Sequence, residues 1–463
     1  GVQRYYDQSV DWTACGTGFD CARITAPLDW DQPGVSTISL AIVRHRATEV
    51  SQGAVFVNPG GPGGSGYRLV RQRLESAFSQ RLRRQFDIIG FDPRGVGRSS
   101  AVSCGSAAVV REFVYPVLPG TRGDSEWIAA KQRNDRAFGA ACASHTGALL
   151  GHVDTVSAAR DLDLLRAVTG QSKLNYLGFS YGTSLGATYA SIFPKRMGRF
   201  VLDGAVDPAL SQAELTMGQA KGFEVAARSY LSNCLTTADC PFAGKSVNQA
   251  MSVIRGLLES ADRQPQSSST GRVLTADVLF SAFADPLYSR RFWPLLTQAF
   301  TAALSGDVDG VFAVFDAFNS ESDATDNAEE AMRAITCLDY PVDASADALA
   351  VQRAALDRAA PTFGTYFAYD AVTCAAWPVH SSRTRQPISA SGSPLIVVVG
   401  TTRDPATPYQ WAQNLSAELD SSTLVTYVGD GHTAYMNSSC VTAAVDEYLL
   451  RGVPPKPKLT CSR

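Results

Sequence analysis

The sequence contains no apolar run of about 18 residues, so no segment reads as a membrane-spanning helix. Neither sign of charge is in surplus: 41 Lys and Arg stand against 44 Asp and Glu, a net charge of −3. That balance excludes an extended nucleic-acid-binding surface and a polybasic membrane anchor. Histidine is scarce, five in 463 residues (His45, His145, His152, His380, His432), and the five are scattered. No C-x-x-C occurs, so no zinc cluster has a ligand set. Internal repeats and low-complexity tails are also missing. The chain opens at Gly1 without Met or an h-region, as expected of a mature form that has lost a signal peptide.

What remains is ordinary for a globular protein with a large core: 45% apolar and 18% charged residues. The length is long for one domain and short for three. Ten cysteines, an even number, suggest disulfides made in an oxidising compartment rather than ten buried thiols. Neighbour pairing is the simplest expectation, because each bridge then closes a local segment: Cys15–Cys21, Cys104–Cys142, Cys234–Cys240, Cys337–Cys374 and Cys440–Cys461.

Periodicity divides the chain into three stretches. "STISLAIVRHRA" (36–47) alternates like a half-exposed strand, whereas "GAVFV" and "FDIIGFD" are continuously apolar, like parallel strands covered on both faces. "DTVSAARDLDLLRAVTG" (154–170) has helical spacing, with Asp154 or Thr155 to cap it and Gly170 to end it. "KLNYLGF" then reads as a strand, "SLGATYASIFP" as a helix and "GRFVLDGAVDP" as a strand. Such alternation predicts an α/β fold with right-handed crossovers. From about 209 to 390 the segments are mostly helical, including "WPLLTQAFTAALSGDVDGVFAVFDAF" (293–318), with a polar loop at 262–271. The α/β pattern resumes at "SPLIVVVG" (393–400). The expected organisation is a mostly parallel α/β-hydrolase sheet built from 1–208 and 391–463. A large helical cap, 209–390, is inserted after the sixth strand.

"NPGGPGGSG" (58–66) fits two chemistries. It contains G-x-G-x-x-G after an apolar strand, with Asp92 where a ribose-binding acid can sit, so it can cradle a dinucleotide phosphate. Equally, its bare backbone N–H groups can form an oxyanion hole. The rest of the chain favours the second. Gly178-Phe179-Ser180-Tyr181-Gly182 is G-x-S-x-G between a strand and a helix, the context of the α/β-hydrolase nucleophile turn. Ser180 needs a base, and in this fold the order is Ser, acid, His. Only His432, in "YVGDGHTAY", follows the final strand. Asp404, after "SPLIVVVG", is the expected acid. Asp203 is the runner-up, and Asp430 is expected to shape the loop before His432. Thr407 can cap the helix that starts at Pro408. The oxyanion donors are then the backbone N–H of Tyr181 and that of Gly63 or Gly64, each worth roughly 3 kcal/mol.

"NPGGPGGSG", "FDPRGVGRS", "GFSYG", "VLDGAVDP", "AITCLDYP", "TTRDPATP" and "GHTAY" together span nearly the whole chain. On these motifs it resembles the actinobacterial tripeptidyl-aminopeptidase branch of the α/β-hydrolases, relatives of proline iminopeptidases. The oxyanion loop of proline iminopeptidases usually starts with His, and Asn58-Pro59 here favours the tripeptidyl branch. The resemblance implies a secreted or cell-envelope serine exopeptidase that removes short peptides from free N-termini, with Ser180, Asp404 and His432 as its triad. It gives Arg94 a structural role beneath the site. No cofactor is implied. The partner is a peptide or small ester substrate, and association with the cell wall or surface is compatible with the reading. Asp339, fixed by a Cys337–Cys374 bridge, is the candidate for binding the substrate's α-ammonium. A carboxylesterase or lipase with the same triad is the alternative.

Overall fold

The computed structural model describes residues 1–320 and 325–462, so positions 321–324 of the helical stretch lie outside the described residues. The twelve described strands are β1 (Thr13–Ala14), β2 (Phe19–Pro27), β3 (Thr37–His45), β4 (Ala54–Asn58), β5 (Asp87–Phe91), β6 (Leu174–Phe179), β7 (Met197–Asp203), β8 (Gln266–Ser267), β9 (Val273–Leu274), β10 (Ile396–Arg403), β11 (Ser422–Asp430) and β12 (Thr460–Ser462). β8 and β9 pair with each other, and the other ten form one sheet in the order β1-β2-β3-β5-β4-β6-β7-β10-β11-β12. The β1–β2, β2–β3 and β3–β5 pairs are antiparallel, and every pair from β5 to β12 is parallel. The sheet is therefore mostly parallel, as the apolar runs predict.

The composition of β4 explains its central place. All five of its residues are buried. Ala54 and Phe56 join the apolar cluster on one face, and Val55 and Val57 join the cluster on the other. Each fully buried Val or Phe is worth about 1.5–3 kcal/mol. Register then aligns the strand ends. Asn58 of β4 lies opposite Gly178 of β6, Phe179 opposite Asp203 of β7, and Arg403 of β10 opposite Asp430 of β11. The loops that leave these parallel strands open along one edge, where open α/β sheets bind ligands.

Between β7 and β10 the chain is largely helical, from Gln212–Cys234 to Asp370–Ala376. It follows the seventh strand once the two-residue β1 is counted. Sequence signals start two of its helices: Ser211 with Glu214, and Ser246 with Gln249, form reciprocal capping boxes. The stripe at 293–318 is two helices, Trp293–Ser305 and Val308–Asn319. Gly306 takes a left-handed φ of 74° and Asp307 caps the second helix, so the apolar pattern continues across a real break. The polar loop at 262–271 contains one strand of the β8–β9 hairpin. The aromatic core of this region, with Phe223, Phe283 and Phe300, also takes Trp127 from the helix Ser125–Thr146. A helix that precedes Ser180 in the chain thus packs into the insert. Conversely, the helix Ala328–Asp339 buries Ala331, Ile335 and Leu338 in the core beside the sheet.

The ten cysteines form five disulfides, neighbour with neighbour as expected. Among the described residues no helix is long and apolar enough to cross a membrane. Arg94 is fully buried, forms an ion pair with Asp161, and donates to the carbonyls of Pro27, Leu28 and His152. It braces the turn after β5, in line with the structural role expected for it.

Candidate active site

Ser180 follows β6 and precedes the helix Tyr181–Ile192, at φ 56° and ψ −124°. A side chain at this φ is strained by about 1–3 kcal/mol, and such strain concentrates at functional turns. Two close approaches make the turn possible. A Cβ on Gly178 would lie 2.5 Å from the Gly182 carbonyl oxygen, and one on Gly182 would lie 2.7 Å from that of Asn58. Both glycines of G-x-S-x-G are therefore required. Ser180 N–H donates to the Asp203 carbonyl at 2.9 Å, which ties the turn to β7.

The glycine loop closes over this turn. A Cβ on Gly60 would fall 2.6 Å from the Phe179 carbonyl oxygen, 2.8 Å from Ser180 Cβ and 3.1 Å from Tyr181 N. Gly64 N–H is already donated to the Gly60 carbonyl at 3.0 Å, and Gly63 backs onto the Ala328 carbonyl of the insert. Gly61, by contrast, lines the cavity with Ser180 and Tyr181. Of the two donors expected, Gly64 N–H is engaged within the loop, and Gly61 is the glycine of this loop that lines the Ser180 cavity. Asp92, the ribose-binding candidate, has its carboxylate spent inside the protein. It accepts from Ser65 Oγ, Tyr67 N and Arg98 N at 2.5, 3.1 and 2.8 Å. The dinucleotide alternative loses its acid to the stitching of two loops.

Asp404 and His432 meet after β10 and β11. His432 Nδ1 lies 2.8 Å from Asp404 Oδ1 and 3.0 Å from Oδ2. Asp404 also accepts from the N–H groups of Ala406, Thr407 and Thr433, which fixes the carboxylate in one orientation. Burial disfavours the His432 imidazolium, but the Asp404 carboxylate outweighs it and holds the pKa above the ordinary 6.5. Thr407 does not cap the following helix, whose first turn has no side-chain cap. Its hydroxyl lies 3.3 Å from His432 Nδ1 instead.

Three further residues support this loop, and of them only Tyr288 had no sequence signal. Asp203 accepts from Ala434 N and Tyr435 N at 3.0 and 2.8 Å, holding the loop just after His432. Tyr288 of the insert accepts from His432 N at 2.8 Å and packs its ring edge-on against the imidazole. Asp430 binds Arg403, Arg290 and Ser229, shaping the preceding loop as expected.

Ser180 opens into a cavity of about 300 Å³, lined also by Gly61, Tyr181, Thr336, Asp339 and Asp370. His432 borders a second space of about 530 Å³, with Tyr288, Arg291 and Met436. Asp339 reaches the first cavity, but both its oxygens are engaged. Oδ1 accepts from Thr155 N at 3.0 Å and Oδ2 from Thr155 Oγ1 at 2.5 Å. The Tyr181 hydroxyl lies 2.5 Å from the same Thr155 oxygen. Asp339 thus links the insert, through Thr155, to Tyr181, the residue after Ser180.

Known proteins resemble the chain over nearly all its length. Serine protease Hip1 of Mycobacterium tuberculosis is 34% identical over 485 residues, covering 98% of this chain and 91% of that protein. Carboxylesterase B of the same organism is 34% identical over 456 residues, covering 96% and 86%. The tripeptidyl aminopeptidase of Streptomyces coelicolor is 30% identical over 474 residues, covering 98% and 86%. With this sheet and these relatives, the chain is an α/β-hydrolase of the serine-hydrolase class. Within that class it belongs to the TAP-like protein family, whose model matches residues 360–461.

Proposed function

We propose that the protein is an extracytoplasmic serine exopeptidase that releases short peptides, tripeptides first among them, from free N-termini through an acyl-enzyme. Ser180 Oγ attacks the scissile carbonyl carbon while His432 takes its proton. The oxyanion accepts hydrogen bonds from Tyr181 N–H and Gly61 N–H. His432 then donates the proton to the leaving amine as the C–N bond breaks, and water resolves the ester by the same steps. Asp404 holds the imidazole in the correct tautomer and stabilises its cation. Residues 1–208 and 391–463 supply this machinery, and 209–390 form the lid.

The observation that carries the reading is a pair of spaces, one lined by Ser180 and the other by His432. The one that holds Ser180 is roofed by the insert and sits at the small end of the range of about 300–1,000 Å³ for ligand sites. That suits a short acyl segment. The one beside His432, the group that protonates the leaving amine, suits the departing chain. Relatives named tripeptidyl aminopeptidase and serine protease support the same substrate class. Five disulfides support an oxidising compartment. A relative named carboxylesterase favours a second reading, an esterase with the same Ser180, His432 and Asp404.

Ser180→Ala tests the chemistry. Its kcat should fall by about a million-fold, and a fluorophosphonate should add one mass increment to the wild type and none to the variant. Labelling of the variant would remove Ser180 from the mechanism. Peptide amides with free N-termini, run beside short-chain aryl esters, separate the two substrate classes.

A further inference from the structure

We propose that Asp370 is the specificity residue that receives the substrate's α-ammonium group. The inference rests on the exopeptidase reading above and assigns the subsite which that reading requires.

Asp370 begins the helix Asp370–Ala376 and lines the same cavity as Ser180. It is an exposed residue of that lining. The buried acids beside the sheet, by contrast, spend their oxygens on protein donors: Asp92 on Ser65, Asp161 on Arg94, Asp203 on Ala434 and Tyr435. Asp339, across the cavity, is engaged with Thr155. No hydrogen bond or ion pair to the Asp370 carboxylate occurs among the described residues. The nearest cations are committed elsewhere. Lys131 Nζ lies 2.8 Å from Asp135, and Arg333 lies 3.1 Å from Glu329.

A carboxylate that faces a cavity and has no protein donor is available to a cationic ligand. Burial pushes this group up to about 6, with Lys131 and Arg333 opposing the shift and Asp277 and Asp135 adding to it. It is ionised at neutral pH and lacks a counter-ion in contact. A primary ammonium with three N–H donors supplies both charge and hydrogen bonds. The Cys337–Cys374 disulfide joins the helix that carries Asp370 to the helix that carries Arg333 and Asp339. Asp370 is thereby tied to a helix that lines the Ser180 cavity through Thr336 and Asp339.

The test compares each of the Ala₂, Ala₃ and Ala₄ para-nitroanilides with its desamino analogue, in which hydrogen replaces the ammonium and no bulk is added. The best-cleaved length is used at pH 7.5. Wild type should favour the free amine by about ten- to a hundred-fold in kcat/KM, the worth of a charged hydrogen bond. In Asp370→Asn that ratio should fall below about three-fold, and Asp370→Glu should restore part of it. The ratio is read within each protein, so a general loss of activity cancels. A wild-type ratio retained in Asp370→Asn would overturn the assignment while leaving the exopeptidase reading intact. A wild type with no preference for the free amine would overturn that reading, and the assignment with it. If the variants do not fold, free Ala₃ and its desamino form are compared as inhibitors of aryl acetate hydrolysis by the wild type. Equal inhibition would overturn the assignment.

Discussion

Replacing Gly60 with alanine isolates the contribution of the glycine loop. Gly60 has φ 97°, a conformation that strains any residue with a Cβ by about 1–2 kcal/mol. The new methyl would meet the Phe179 carbonyl oxygen at 2.6 Å and Ser180 Cβ at 2.8 Å. Those contacts are about 0.8 and 0.6 Å short of ordinary van der Waals separation. Neither neighbour can rotate away, because one is backbone and the other is the Cβ of Ser180. The loop must therefore retreat by roughly an ångström from Ser180 and Tyr181 N. A misplacement of that size costs about a hundred-fold, and an oxyanion donor taken out of reach costs about 10²–10³-fold. Gly60→Ala should thus lower kcat by about 10²–10³-fold, with KM changed only a few-fold. Gly147→Ala is the control. Gly147 also has a positive φ, 65°, but nothing lies within 4 Å of its added methyl. It should lose comparable stability and keep its kcat. Steady-state kinetics on a peptide anilide, with Tm by calorimetry, separate the two effects. A Gly60→Ala enzyme within ten-fold of wild-type kcat would refute the proposed place of this loop over the nucleophile.

Two further outcomes follow from charge. His432 must be neutral to act as base, and its pKa lies above 6.5, so kcat/KM should rise with pH along a limb centred above that value. Asp404→Asn removes the carboxylate that raises it, so the limb should move to lower pH while kcat falls about 10⁴-fold; a limb that stays in place would separate Asp404 from His432. Stability should decline as pH rises from about 4 through 6. Burial raises Asp203, Asp285, Asp339 and Asp370 from 3.8 to about 6, so the folded state holds those protons more tightly and loses stability as they leave. A raised His432 acts in the same direction, its contribution fading as pH rises through its folded pKa. A calorimetric Tm that climbs over this interval would contradict the burial of these groups.

Much of this architecture was legible in the sequence, and the exceptions have physical causes. β4, β6, β7 and β10 announce themselves because both of their faces are buried, which forces continuous apolar runs. β2 does not. Its buried face is Asp20, Ala22, Ile24 and Ala26, and only Ile24 is a large apolar residue. The strand is held by pairing with β3, and Asp20 is neutralised by Arg44 and Arg46, both on or beside β3. The neighbour pairing of cysteines was legible from spacing alone. Tyr288 and Asp370 were not, because the insert carries no motif for them. They reach the site only when its helices are folded over the strand ends.

The two acids at consecutive strand ends, Asp203 and Asp404, illustrate the limit of pattern reading most sharply. Both are buried, both follow apolar strands, and the electrostatics of each includes His432. What separates their roles is how each spends its oxygens. Asp203 gives Oδ2 to Ala434 N and Tyr435 N, and its Oδ1 lies 3.1 Å from Ala434 N, so it anchors backbone. Asp404 takes backbone donors too, but Oδ1 and Oδ2 also straddle His432 Nδ1. The -Pro-Ala-Thr- turn makes the difference. Folding back so that Ala406 and Thr407 donate to Oδ1, it holds the carboxylate toward β11, where His432 begins its loop. A strand-end acid therefore becomes an imidazole's partner through the turn that follows it, and an equally buried acid without such a turn becomes a clamp.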